Sequence, residues 1–410
     1  MATVVLLGTL DTKGDEYRYL RSLLGGHGVE TILVDAGVLG EPRVAPNVTR
    51  EEVARAAGAE VRSLADAGDR GEAVETMARG AAEIVTRLFA DGRLDGILAL
   101  GGSGGTAVAT EAMRALPVGV PKLMVSTMAS GDTRPYVGAT DVTMTYSVVD
   151  IAGINAVSAR ILANAAAAMA GMVKAEPPEV EGGKPLVGAT MFGVTTPCVT
   201  AARERLEELG YEVLVFHATG TGGQSMEALM RSGFITASLD ITTTELADDL
   251  VGGVLSAGPD RLEAAGELGI PQVVSLGALD MVNFGPVETV PAEFRDRLLY
   301  KHNPTVTLMR TTPEECAELG RRIGRKLSGA TGPVTLFIPL RGVSLIDVDG
   351  QVFHDPEADG ALFDALRETL DPGVDVRELD TDLNDPAFAH AMVDTLHEHY
   401  RAWAAEGVRA

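Results

Sequence analysis

The chain has 410 residues, 46% hydrophobic but only 4% aromatic, with 47 glycines and a formal net charge of −24 from 58 acidic and 34 basic side chains. That length exceeds what one hydrophobic core usually serves, so two domains are expected, and the small apolar side chains point to α/β packing. The charge repels nucleic acid and anionic membrane, two cysteines are too few for a disulfide framework, and no basic leader opens the chain; a cytoplasmic protein is expected.

Residues 3–7, TVVLL, read as a buried strand, followed by a polar segment at 9–14, a helix over 16–24 and a second strand over 30–37. The short links make a βαβ opening and therefore a parallel sheet. Open α/β sheets place ligands at the carboxyl ends of their strands, which makes Thr9, Asp11 and Lys13 candidate ligand-binding residues. Thr9 and Thr12 either donate to a phosphate or cap the helix. Asp11 either caps or orients Lys13 and helps hold Mg²⁺, and Lys13 either meets an anion or points to solvent. Asp35 ends the second strand, where an acid either receives a ribose hydroxyl pair or has a structural or metal-facing part. Residues 41–75 form a polar insertion with a short helix at EEVARAAG, and Arg70 and Gly71 lie near its end, ahead of a helix over 72–89.

The chain is organised around DGILALGGSGGT, residues 95–106. A buried strand delivers Gly102, Ser103, Gly104, Gly105 and Thr106 into a helix expected to begin near Thr106. Glycines let backbone amides close around a phosphate, nucleotide or carboxylate, and the helix N-terminus adds free N–H groups and positive dipole. The loop is no Walker A motif, since Lys is missing and Ala107 follows Thr106. It also departs from the dinucleotide fingerprint, having Ala107 at the third glycine position and following the third strand rather than the first. A strand over 122–126 then leads to STMASGDTRPYVG, where Ser130 and Asp132 are small polar groups suited to a crowded anion site. A strand over 140–146 and a helix over 155–169 complete a sheet of five or six strands with helices on both faces.

Residues 173–185, rich in Pro, Gly and acidic side chains, mark the boundary between domains at 1–175 and 185–410. The second half repeats the βαβ grammar without a close sequence repeat: a strand from 186, a helix over 198–209, a strand, HATGTGG, and a helix from about 224. This loop is read as the same device as GGSGGT, led by His217, which serves as acid, base or ligand or is a hydrogen-bonded strand-end residue. Asp240 is a candidate base, metal ligand or partner of His217. Arg310 and Arg341 close later strands, and with His217 and Asp240 they make the candidate catalytic set. Cys198 opens a helix, which either lowers its pKa or leaves it a buried, inert thiol. HExxH and CxxC are absent, which argues against a structural zinc site.

Together GTLDTKGDE, GGSGGT, STMASGDTRPYVG and HATGTGG resemble the Tm-1-like ATP-binding family, formerly an uncharacterised protein family, and the resemblance covers nearly the whole chain. It implies two linked, three-layer Rossmann-like α/β domains, each with a mostly parallel sheet. ATP would lie in the first, bordered by Thr9, Asp11, Lys13, Gly102, Gly104, Gly105 and Thr106, with Ser130 and Asp132 nearby. Some related proteins carry a barrel domain, so a separately encoded barrel enzyme is an expected partner, alongside homo-oligomers. The functional expectation is an ATP-dependent enzyme, using Mg²⁺ for phosphoryl transfer or ligation on a small metabolite at the interdomain cleft. The alternatives are a nucleotide-responsive assembly protein without turnover and a nucleotide-independent hydrolase or lyase using His217.

Overall fold

The computed structural model describes residues 1–176 and 183–407. The chain divides into two compact units, Met1–Glu179 and Val180–Ala410. Of the proline- and glycine-rich junction at 173–185, residues 177–182 lie outside the described residues.

In unit 1 the order is β1 (Thr3–Gly8), α1 (Leu10–Gly26), β2 (Glu30–Asp35), α2 (Arg50–Ala56), α3 (Val61–Ala67), α4 (Arg70–Ala90), β3 (Gly96–Gly101), α5 (Ser103–Arg114), β4 (Lys122–Ser126), α6 (Arg134–Val137), β5 (Thr143–Tyr146) and α7 (Ala156–Met172). The strands are parallel and ordered β2-β1-β3-β4-β5. Strands buried on both faces need apolar side chains at every position, and β1 and β3 supply them. Val5, Leu7, Ile97 and Ala99 enter one core with α2 to α5, while Val4, Leu6, Leu98 and Leu100 enter the other with α1 and α7. This is the three-layer α/β sandwich expected for the first half.

Two boundaries differ from the sequence reading. Helix α1 starts at Leu10, directly after β1, so Asp11, Lys13 and Gly14 are in its first turns rather than in a loop. Helix α5 starts at Ser103, so Gly104, Gly105 and Thr106 are helical as well. Helix α1 starts early because Asp35 accepts its first amide, as described below.

Unit 2 runs β6 (Leu186–Met191), α8 (Thr196–Glu208), β7 (Glu212–His217), α9 (Thr221–Arg231), β8 (Ala237–Thr242), α10 (Glu245–Val251), α11 (Ala264–Leu268), β9 (Gln272–Gly277), β10 (Met281–Phe284), β11 (Leu299–Asn303), β12 (Val306–Arg310), α12 (Pro313–Ser328), β13 (Val334–Pro339), α13 (Pro356–Thr369), β14 (Asp375–Leu379) and α14 (Pro386–Ala405). Its main sheet is parallel, in the order β14-β13-β9-β8-β6-β7. Read from its own first strand, this is the same winding as unit 1. Strands β10, β12 and β11 form a separate antiparallel sheet. Arg310 ends a strand of that small sheet, not one of the parallel strands whose carboxyl ends make a ligand edge. Among the described residues no helix is long and apolar enough to cross a membrane.

Candidate functional site

In unit 1 the winding reverses between neighbouring β1 and β3. From β1 the chain crosses to β2 on one side, and from β3 to β4 on the other. Helices α1 and α5 pack on opposite faces, and their N-termini open at the carboxyl edge where such sheets take ligands. Tyr17 of α1 holds this point together. Its hydroxyl donates to the Leu7 carbonyl of β1 and accepts the Leu100 amide of β3 at 3.0 Å. Burial raises the phenol pKa well above its usual value and keeps it a donor. Gly8 is required beneath it, because a Cβ there would lie 2.1 Å from the Tyr17 hydroxyl. Tyr17 was not singled out in the sequence, where it reads as one more apolar helix position.

At the head of α5 the first bonded amide is that of Thr106, which donates to Gly102 at 2.8 Å. Gly102 provides no side-chain cap, and among the described residues no acceptor meets the amides of Ser103, Gly104 and Gly105. Gly101 is required by close packing, since its Cβ would fall 3.0 Å from the Gly105 Cα. The other glycines are not. A Cβ at Gly102, Gly104 or Gly105 would meet its nearest neighbour at 3.7, 3.6 and 3.6 Å, an ordinary contact. The neighbour at Gly104 is the Arg70 guanidinium, so a cation lies beside this helix end. Thr106 faces inward, its hydroxyl 2.7 Å from that of Ser126, which in turn accepts the Met128 amide at 2.9 Å. Thr106 therefore positions the β4 loop, and Ser103 is the exposed hydroxyl. Further along that loop Ser130 is exposed, and Asp132 is gripped by Arg134 at 2.9 and 2.7 Å, which holds its carboxyl down at about 2.

The first turn of α1 is built differently. Asp35 accepts the Leu10 amide at 3.0 Å and the Gly37 amide at 2.9 Å. The next strand thus caps α1, which is why the helix needs no longer turn. Asp35 is fully buried, so it presents no face to a ribose, and burial raises its pKa. Asp11 accepts the Leu39 and Gly40 amides at 3.2 and 3.1 Å. One oxygen of each acid, Oδ1 of Asp11 and Oδ2 of Asp35, is buried without a partner among the described residues. The Thr9 and Thr12 hydroxyls bond each other at 2.8 Å. Lys13 leaves helical geometry at φ −120° and donates to the Ile151 carbonyl rather than pointing to solvent, while Glu16 accepts the Gly153 amide at 2.7 Å. These two contacts tie the 150–155 segment to α1.

The second glycine loop is not the same device as the first. Glu245 of α10, fully buried, accepts the Gly220 amide at 2.7 Å and the Gly223 amide at 3.1 Å. The loop is filled by the protein's own carboxylate. Here every glycine is required: a Cβ at Gly220, Gly222 or Gly223 would fall 2.7, 1.8 or 2.2 Å from its nearest neighbour. Arg261 ties Glu245 at 2.7 Å to Asp240, which it grips by two bonds of 2.6 and 2.7 Å, and Glu227 accepts the Leu262 amide at 2.5 Å beside them. Asp240 also accepts the Thr190 hydroxyl at 2.7 Å.

The four residues read as a catalytic set engage four different surroundings. Asp240 is locked inside the Arg261 network and makes no bond to His217. His217 is exposed, its ring edge-on to Phe192 at 5.4 Å. Arg310 is buried among acids, donating to Asp359 at 2.7 Å, Asp347 at 3.2 Å and the Phe353 carbonyl at 2.7 Å. Burial raises the pKa of Asp347, Asp359 and Asp280, with repulsion from Asp280 and Asp359 adding to it at Asp347, and Asp280 Oδ1 has no partner among the described residues. Arg341 lies at the surface in a two-bond pair with Asp380, at 2.7 and 2.6 Å. Arg310 is held by structural partners and Arg341 by a solvated one. Cys198 is fully buried, and desolvation pushes its thiol pKa far up, the opposite of an activated nucleophile.

The N-terminal domain of the uncharacterised protein family UPF0261 matches residues 2–178, and its C-terminal domain matches residues 184–400. The chain belongs to the UPF0261 family. A UPF0261 protein of Clostridium tetani is 58% identical over 394 residues, spanning 96% of this chain and 98% of its own. One from Rhizobium meliloti is 48% identical over 395 residues, at 96% and 98% coverage. The tomato ToMV susceptible protein tm-1 is 42% identical over 421 residues, covering 96% of this chain but only 55% of the tomato protein. The family resemblance read from the loops is thereby borne out, and this chain spans about half the length of its tomato relative.

The nucleotide that the Tm-1-like resemblance implies for a UPF0261 chain can be tested against the residues present. Unpartnered amides, glycines whose Cβ space is free, and a neighbouring guanidinium suit an anionic ligand at α5. The unpartnered Asp11 oxygen suits a cation contact. Among the described residues no group of three or more His, Cys, Asp or Glu side chains could hold a metal. Any Mg²⁺ would therefore be held jointly with a ligand's own oxygens.

Proposed function

We propose that unit 1 binds ATP at the β1/β3 crossing point, with its phosphates at the head of α5, in an ATP-dependent enzyme acting on a small metabolite. One observation carries the reading: the two glycine loops look alike in sequence, but Glu245 takes the Gly220 and Gly223 amides of the second, whereas among the described residues no acceptor meets those of Ser103, Gly104 and Gly105 in the first. The amides of Ser103, Gly104 and Gly105 donate to anionic oxygens, and the helix end supplies positive potential. Arg70 offsets ligand charge from one side. Lys13, already turned inward onto Ile151, keeps two further N–H donors for the other. Tyr17 and Asp35 keep the two helix ends at fixed spacing, so the donors are preorganised. Bound ATP, with Mg²⁺ at Asp11, supplies the transferable phosphoryl or nucleotidyl group.

Asp240 does not serve the hydrolase or lyase alternative as a partner of His217, because it is bonded to Arg261 and Thr190 instead. Calorimetric titration with ATP and Mg²⁺, repeated on Gly104→Ala, tests the binding. Saturable uptake by the wild type that weakens in the variant supports it, and no uptake overturns it. Release of ADP, AMP or phosphate across a metabolite panel then separates an enzyme from a nucleotide-responsive binding protein.

A further inference from the structure

Helix α8 starts just beyond the carboxyl end of β6 and connects it to the parallel β7, and Thr196, Val199, Thr200 and Arg203 share one stripe through their i, i+3, i+4 and i+7 spacing. Val215 and His217 share one face of β7 by strand alternation. Where stripe and face meet they leave a pocket of ≈ 400 Å³ instead of a closed contact. That volume falls within the usual range of small-molecule sites, about 300–1,000 Å³.

The pocket lining combines apolar and polar side chains. Val199 and Val215 make an apolar wall, and Val215 is 38% exposed there without a covering side chain. The lining also holds three donors, His217 beside Met191 and Thr196 where the strands end, and Thr200 and Arg203 one and two turns further along α8. The ion-pair partner of Arg203 is Glu207, one turn along the same helix at 3.6 Å, a weak and solvated pair. Thr200 makes no side-chain hydrogen bond among the described residues. The His217 ring is oriented by its edge-on contact with Phe192, at 71° between planes, so it is aimed before any ligand arrives.

We propose that this pocket binds a small carboxylate with an apolar body. The Arg203 fork takes the two carboxylate oxygens side by side, Thr200 one turn back on α8 adds a hydrogen bond, and the valine wall receives the hydrocarbon, which extends toward His217. The net charge of −24 repels anions at long range, so recognition has to come from local, convergent donors of this kind. A carboxylate fits better than a phosphate, because one guanidinium balances one charge and the wall calls for a hydrocarbon partner. The inference shares no residue with the nucleotide reading of unit 1.

The test uses the full chain without nucleotide, so its failure leaves the unit 1 reading untouched. Calorimetry and saturation-transfer NMR would follow 4-methylpentanoate and 3-phenylpropanoate, their neutral amides, and inorganic phosphate. Saturable binding of the carboxylates is expected, with the amides weaker by about tenfold or more. Arg203→Gln weakens the carboxylates by a similar factor, Glu207→Gln strengthens them by freeing the guanidinium, and Val215→Trp abolishes binding by filling the pocket. Arg203 is half exposed, so its variant keeps the test alive should the tryptophan disturb folding. No saturable carboxylate binding, equal binding of acid and amide, or binding unchanged in Arg203→Gln would overturn the proposal. So would phosphate binding in preference to the carboxylates.

Discussion

Glu245 accepts the Gly220 amide at 2.7 Å, so an acidic side chain occupies the place an anionic ligand would take in the second glycine loop. The same carboxylate accepts from Gly223 and pairs with Arg261. Removing it from a fully buried network strips the acceptor from two amides and one partner from a guanidinium. Glu245→Ala should destabilise unit 2 by about 3–5 kcal/mol. Chemical denaturation followed by a unit 2 probe such as Trp403 measures this, and an unchanged midpoint would contradict it. The ATP affinity of unit 1 should not change.

The first loop predicts the opposite pairing of effects. Gly104 and Gly105 are helical and have room for a Cβ, so Gly104→Ala should raise stability by up to about 1 kcal/mol through helix propensity. The same methyl narrows the space beside Arg70 and should weaken ATP binding. A variant that melts higher and binds worse supports the account. One that melts higher and binds as well as wild type contradicts it. Gly222→Ala, whose Cβ would fall 1.8 Å from the His217 carbonyl, should instead lower stability.

Tyr17 gives a local prediction. Tyr17→Phe leaves the Leu100 amide and the Leu7 carbonyl without their buried partner, which should destabilise unit 1 by about 1–3 kcal/mol. Hydrogen exchange at Leu100 is the sharper readout. Its amide should lose protection in the variant, whereas amides of β8 should exchange as before.

Asp248 sets a pH dependence. Burial pushes its pKa up to about 7, against the hydrogen bonds from Asn283 and Leu255. The unfolded chain releases this proton near about pH 4, so between there and about 7 the folded state holds more protons. Stability contributed by this group is therefore full at low pH and lost as pH rises, by up to about 1.4 kcal/mol per pH unit. Asp248→Asn should flatten the unit 2 stability profile over that window. Asn283 has a buried carbonyl oxygen without a partner, which can accept the new amide after a flip. An unaltered slope would show that Asp248 does not titrate there.

Much of the fold was legible because parallel strands buried on both faces must be nearly continuous in Val, Ile, Leu and Ala, as in β1 and β3. The glycine-rich turn after β3 was legible for the same local reason. What escaped depends on residues far apart in the chain. Asp35 caps Leu10 from 25 positions away, so α1 begins earlier than its own residues signal. Glu245 lies 25 positions beyond Gly220, so nothing in HATGTGG reveals that its amides are taken. Tyr17 reads as a core aromatic until its hydroxyl is seen between two strands. Nothing local in the sequence marks Arg261, because a helix-flanking arginine usually meets solvent. The acids that bury it are 16, 21 and 34 residues away.

Amide chemical shifts followed during a titration with ATP and Mg²⁺ test the central contrast most directly. The amides of Ser103, Gly104 and Gly105 should shift saturably and together, while those of Gly220 and Gly223, held by Glu245, stay in place. Shifts at Gly220 and Gly223 with none at the head of α5, or no saturable shift at either loop, would contradict the account.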